Sequence, residues 1–186
     1  MRLIVSRMAV AAAVMVVGVA AQTDKVDQRR ENQQDRVAQG IKSGQLTSGE
    51  AANVEKKEAA INQEVHTDRT LNGGKLTGQE KQTVNRQQNQ MSRQIYADKH
   101  NAAVRPTPRT EVGARRANQQ NRIANGVQSG KLSAGQTAKL EKGEAGISKE
   151  INADRAANGG KLTTAQKKQV SQQQNGMSKK IYRAKR

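Results

Sequence analysis

An ungapped internal match at an offset of 86 residues constrains this chain more than any other feature. Asn32-Gln33-Gln34 falls on Asn118-Gln119-Gln120, and Asn72-Gly73-Gly74-Lys75-Leu76-Thr77 falls on Asn158-Gly159-Gly160-Lys161-Leu162-Thr163. Gln87-Gln88-Asn89 falls on Gln173-Gln174-Asn175, and Ile95-Tyr96 on Ile181-Tyr182. The apolar positions match best. Val26, Val37, Ile41, Leu46, Val54, Ile61, Val65, Leu76, Val84, Met91, Ile95 and Tyr96 land on Val112, Ile123, Val127, Leu132, Leu140, Ile147, Ile151, Leu162, Val170, Met177, Ile181 and Tyr182. Only Leu71 is lost, to Ala157. A fixed period of this kind marks repeated structural units, and these few large apolar groups are expected to supply the core.

A second, weaker repeat lies inside each copy at an offset of 30. Leu46-Thr47-Ser48-Gly49-Glu50 resembles Leu76-Thr77-Gly78-Gln79-Glu80, and Val54, Ile61 and Val65 superpose on Val84, Met91 and Ile95. Spacings of seven and then four place these groups on one helical stripe. Thr47, Thr77, Ser133 and Thr163 are followed three residues later by Glu50, Glu80, Gln136 and Gln166. Each pair has the form of a capping box, in which the hydroxyl accepts a first-turn N–H and the Glu or Gln reaches back to the cap. Gly44, Gly74, Gly130 and Gly160, just upstream, suit a left-handed helix terminus.

The expected fold is therefore all-α, two tandem copies of a three-helix antiparallel unit, compact or elongated. The helices are expected near 24–43, 48–71, 78–99, 110–129, 134–157 and 164–184. The organisation reads as a signal peptide over 1–21, a first copy over 22–100, a linker over 101–110 with Pro106 and Pro108, and a second copy over 111–186.

The N-terminal expectation rests on Arg2 and Arg7, a twelve-residue apolar run from Met8 to Val19, and the small exit Val19-Ala20-Ala21. That is the form of a secretory signal, too short for a spanning helix of about 20 residues. It implies export to a periplasm or the exterior. Without those 21 residues the chain keeps 31 Lys plus Arg against 16 Asp plus Glu, a net charge of +15.

Cysteine is absent, which excludes disulfides, thiol catalysis and cysteine metal sites. Tyr96 and Tyr182 are the only aromatics, so neither a tight small-molecule pocket nor a base-stacking platform is expected. No serine, histidine and acid pattern suggests a nucleophile, and the acids read as helix-surface groups. No enzyme, cofactor or small-molecule substrate is expected. Glu64, His66 and Asp68 do not make a metal site, because residues two apart on a helix diverge. Placing Gly74 as the glycine of a calcium loop puts Leu76 at its apolar position and Glu80 at its last ligand. Arg69, Leu71 and Gly73 then stand where ligands belong, and the second copy has Gln166 for the final acid. A structural protein with degenerate EF-hand-like loops is the most this pattern allows.

Charge is unevenly spread. The segment Thr163 to Arg186 carries Lys167, Lys168, Lys179, Lys180, Arg183, Lys185 and Arg186 with no acid. An anionic polymer, whether nucleic acid, surface polysaccharide or anionic lipid, is the partner such a helix would attract. Leu162-Thr163-Thr164-Ala165-Gln166 and its variant Leu132-Ser133-Ala134-Gly135-Gln136 resemble the Leu-Thr-x-x-Gln motif of the Spy/CpxP-type periplasmic stress proteins. That resemblance implies an ATP-independent, chaperone-like binder of unfolded or envelope proteins. The whole chain is also similar to uncharacterised exported bacterial proteins with Gly-Lys-Leu-Thr and Arg-Gln-Gln-Asn repeats, which implies a compartment and no activity. The sequence leaves the oligomeric state open.

Overall fold

The computed structural model describes residues 25–103 and 110–186. The expected signal segment and most of the expected linker, with both prolines, lie outside the described residues. Six helices follow in order: α1 (Lys25–Ser43), α2 (Ser48–Leu71), α3 (Gly78–Lys99), α4 (Glu111–Gln128), α5 (Ala134–Ala157) and α6 (Thr164–Ala184). The described residues contain no strand. No helix among them is long and apolar enough to cross a membrane.

Local chemistry sets the helix ends. At α2, Thr47 Oγ1 accepts from Glu50 N while Thr47 N donates to Glu50 Oε2 at 2.8 Å. The same reciprocal pair opens α3 at Thr77 and Glu80, α5 at Ser133 and Gln136, and α6 at Thr163 and Gln166. The backbone N–H of Thr77 also pulls the Glu80 carboxyl below its ordinary pKa, since that bond is made to the ionised form. Both Glu80 oxygens are held locally, one by Thr77 N and both by Asn72 Nδ2.

The α1 and α4 termini carry a close approach. Leu46 N donates to Gly40 O at 3.0 Å, and the Leu46 side chain lies where a Gly40 Cβ would stand, 2.6 Å from it. Leu132 and Gly126 repeat both distances. Only a residue without a side chain lets the leucine close over the end of the helix.

The apolar residues of both copies form one continuous core. Within each copy the third helix packs on the first two. The most extensive pairing joins the copies, with α2 on α5 and α1 on α4. The first and second helices of each copy thus meet their own repeat equivalents, as in an isologous twofold interface, while α3 and α6 lie apart. A Cβ placed on Gly135 near the start of α5 would lie 3.9 Å from Ala59 Cβ in the middle of α2, and Glu141 acts electrostatically on Glu55. Residue numbers that rise on one helix as they fall on the other mean that α2 and α5 run antiparallel.

Three expectations about the core need correction. Tyr96 and Tyr182 are 61% and 52% exposed. Each ring lies along the end of its helix, stacked on His100 in one case and under the Arg186 guanidinium in the other. Val112 is only half-buried. The acids do not all lie on the helix surface either. Glu55, Glu58, Glu141 and Glu144 are at most 1% exposed, held inside by the antiparallel pairing of α2 with α5.

Candidate functional site

The polar seam between α4 and α6 begins with Gln119. Its Nε2 donates to Gln174 O at 2.7 Å and to Ser178 Oγ at 2.9 Å. Gln174 returns a bond to Val112 O at 2.9 Å. Arg115 donates to Asn175 Oδ1 at 3.1 Å and Arg122 to Ser178 O at 3.3 Å. These side chains, with Asn118, line an open groove of about 290 Å³. Gln119 Oε1 is buried there and accepts no hydrogen bond. A buried acceptor left unmade costs roughly 1–3 kcal/mol.

All seven groove residues recur unchanged 86 positions earlier, as Arg29, Asn32, Gln33, Arg36, Gln88, Asn89 and Ser92. Gln33 repeats the bonds to Gln88 O and Ser92 Oγ at 2.7 and 2.9 Å. By contrast, the groove between α2 and α3 changes half its lining in the second copy. Lys57, Ala60, Gln90 and Gln94 become Gly143, Gly146, Gly176 and Lys180.

The basic helix α6 borders the retained groove. Its buried residues are Val170, Gln174, Met177 and Ile181. On the opposite side Lys168, Gln172, Asn175, Lys179, Arg183 and Arg186 recur at spacings of four and three, all exposed. At 1.5 Å per residue they form a stripe of about 27 Å. Asn175 belongs to both stripe and groove. Lys167 and Lys180 flank the stripe and are also exposed. Lys185 departs from the expected surface set. It is half-buried, with Nζ donating to Arg122 O at 3.2 Å, and so caps the seam. On α4 the only acid is Glu111, which pairs with Arg115 at 3.2 Å. In the first copy, α3 carries Glu80 and Asp98, and the same six positions hold only two cations, Arg86 and Arg93.

Among the described residues no three His, Asp or Glu gather closely enough to hold a metal ion. Glu64 accepts from Gln87 Nε2 at 2.7 Å, and His66 points to solvent. No family model, curated protein or solved structure matches the chain.

The buried carboxylates are what sequence reasoning missed. Gln34 donates to Glu55 at 3.2 Å and Gln120 to Glu141 at 2.9 Å. Burial pushes Glu55 up to about 8, against the opposing bond from Gln34. Burial likewise raises Glu58 to about 7, with Arg30 pulling it back. The missed signal was the seven-residue gap in the apolar stripe. The slot between Val54 and Ile61 is Glu58, and that between Leu140 and Ile147 is Glu144. Gln88 and Gln174 fill the same slot in α3 and α6, and all four are buried.

Proposed function

We propose that this chain is an exported, non-enzymatic binding protein whose α4–α6 face holds an acidic polysaccharide. The observation that carries the reading is the exposed cationic stripe of α6, free of acids and bordered by a groove with two arginines. An anionic polymer meets the cations along a line rather than at a point. Base stacking, the usual anchor of single-stranded nucleic acid, would have only Tyr182 on this face. The ancestral plan in this reading is a three-helix unit, duplicated in tandem and closed on its own copy, after which the second copy's last helix became cationic.

A chaperone-like role draws on the Leu-Thr-x-x-Gln resemblance. Binding of unfolded clients needs exposed apolar area. Leu71, Tyr96 and Tyr182 are the large apolar side chains exposed among the described residues, and they make no patch. The closed form therefore favours the anionic partner.

The test reverses three charges on α6, Lys168→Glu, Lys179→Glu and Arg183→Glu, and titrates the chain with an acidic polysaccharide. The matched control reverses Lys81, Arg86 and Arg93 on α3. Loss of binding in the α6 variant with retention in the control supports the reading. Equal loss in both reduces it to net charge and overturns it.

A further inference from the structure

On the first and third helices, most exposed positions differ between the copies. Lys25, Gln28, Glu31, Asp35, Gln39 and Lys42 of α1 have become Glu111, Ala114, Ala117, Asn121, Asn125 and Gln128. The exposed residues of α1 that recur in α4 are Arg29, Asn32 and Ser43. The helix end accounts for Ser43, whose hydroxyl donates to Gly40 O at 3.2 Å, as Ser129 donates to Gly126 O at 3.3 Å. On α3 the exposed residues that recur in α6 are Lys81, Asn89 and Tyr96. The remaining five belong together. Arg29 bonds Asn89 at 3.0 Å across the groove between α1 and α3, and Arg29 and Lys81 line one hollow of about 390 Å³ there. Asn118 lines the matching groove between α4 and α6, and Asn32 holds the same place on α1. Tyr96 stands seven residues after Asn89, on the same side of α3.

The fold does not account for this set. The inner bonds of the seam are made by Gln33, Gln88, Ser92 and Arg36 and their counterparts, and Asn32 and Asn118 take no part in them. The inward positions beside the tyrosines are already filled by Ile95 and Ile181. Each tyrosine ring is backed on one face, by His100 or by Arg186 four residues on, and each residue is more than half exposed. A ring held in this way offers an apolar face, which the C–H face of a sugar ring can cover. Asparagine amides both donate and accept, as sugar hydroxyls do. Arg29 and Lys81 place two cations where a sugar carboxylate would sit. At 1.5 Å per residue the run from Lys81 to Tyr96 spans about 22 Å, the length of an oligosaccharide rather than of a single sugar.

We propose that each copy carries its own subsite for an acidic oligosaccharide, the first formed by Arg29, Asn32, Lys81, Asn89 and Tyr96 and the second by Arg115, Asn118, Lys167, Asn175 and Tyr182. The proposal rests on the polysaccharide reading of the α6 face and extends it to the first copy, which lacks the stripe. In each subsite the tyrosine takes the apolar face of a sugar ring, the asparagines its hydroxyls, and the Arg and Lys its carboxylate. The second subsite is the tighter, because α6 adds Lys168, Arg183 and Arg186 where α3 has Gln82, Ala97 and His100.

The experiment uses the full chain and a short uronic-acid oligosaccharide. With no Trp or Phe, aromatic emission comes from Tyr96 and Tyr182 alone. Tyr182→Ala leaves Tyr96 to report the first subsite, and Tyr96→Ala leaves Tyr182 to report the second. Each emission should change saturably with the oligosaccharide, Tyr182 at the lower concentration. Added to Tyr182→Ala, Asn32→Ala should weaken the Tyr96 response about fivefold, the worth of one hydrogen bond. Gln28→Ala, at an exposed position outside the set, should leave that response unchanged. A Tyr96 that stays silent overturns the proposal, as does one that responds alike in the Asn32 and Gln28 variants. If Tyr96 is silent while the polysaccharide still binds and the α6 reversals abolish that binding, the α6 reading stands and the first subsite falls. If the parent chain takes neither oligosaccharide nor polysaccharide, both fall. Single-stranded DNA that moves the Tyr96 emission at a lower concentration than the sugar overturns the ligand class.

Discussion

Gln119 donates to the Gln174 carbonyl at 2.7 Å, and 86 residues earlier Gln33 donates to the Gln88 carbonyl at the same distance. The bond joins the first and third helices of each copy and explains why glutamines persist where other polar residues drift. Gln119→Ala removes the donor to a buried carbonyl and to Ser178, and should destabilise the chain by about 1–3 kcal/mol. Denaturant unfolding measures this. A change below about 0.5 kcal/mol, the ordinary range for an exposed substitution, would make the seam incidental.

Two glycine substitutions should have opposite signs. Gly126→Ala places a Cβ 2.6 Å from Leu132 Cδ1. The leucine must move off the end of α4, at a cost of about 1–3 kcal/mol. Gly146 lies inside α5 with nothing within 4 Å of an added Cβ. Gly146→Ala should therefore stabilise by up to about 1 kcal/mol through helix propensity. Thermal unfolding of the pair tests both, and a loss at both positions would contradict the geometry.

Stability should fall as pH rises. The folded-state pKa of Glu55 is about 8 and that of Glu58 about 7, against an ordinary value of 4.5. Below pH 4.5 both states hold their protons, so these groups take nothing from stability. Between there and about pH 8 the unfolded chain ionises first, and the fold loses on the order of a few kcal/mol. Glu55→Gln should flatten the curve on its alkaline side. A curve that instead climbs from pH 5 to pH 8 would mean that these carboxylates are ionised in the fold.

Binding through the α6 stripe should be salt-dependent. By analogy with phosphate neutralisation on nucleic acids, log affinity should fall linearly with log salt, and three reversed lysine or arginine contacts should reduce the slope by about three times 0.7–0.9. Isothermal titration between about 50 and 200 mM salt reads this directly. A slope that the Lys168, Lys179 and Arg183 reversals leave unchanged would move the contact to another face.

Thr163→Ala removes the hydroxyl that accepts Gln166 N at the start of α6. It should cost about 1 kcal/mol. Ser133→Ala at α5 should cost a similar amount, because the same reciprocal bonds are present. Unfolding midpoints compared at one pH would show a difference larger than that.

The helix borders were legible because they depend on neighbours in sequence: Leu-Thr before a Glu or Gln, and glycine after the last turn. Most of the apolar core was legible from the stripe at Val54, Ile61 and Val65 and its counterparts. The tyrosines were misread because hydrophobic character alone says nothing of which side of a helix end a ring occupies. Tyr96 follows Ile95 by one residue, and Ile95 already fills the inward position. Glu58 and Glu144 were missed because a charged residue in an apolar stripe is ordinarily a break. Here it faces an arginine from another helix, a partner found only through tertiary packing. The retained groove was half legible: its residues were visible as matches between copies, but their meeting across α4 and α6 was not.

The pairing of α1 with α4 and of α2 with α5 also bears on how this chain can change. In an assembly of two identical chains, a substitution at the α2–α5 seam would appear twice, and each glutamate would face itself. Because both copies lie in one chain, Glu55 and Glu141 are separate genetic positions. A mutation can alter one side of the seam while the other holds the fold. The first effects of that freedom are already present in the neutral Gly143 opposite Lys57 in the alignment of the copies, and in a last helix whose charge its counterpart does not share.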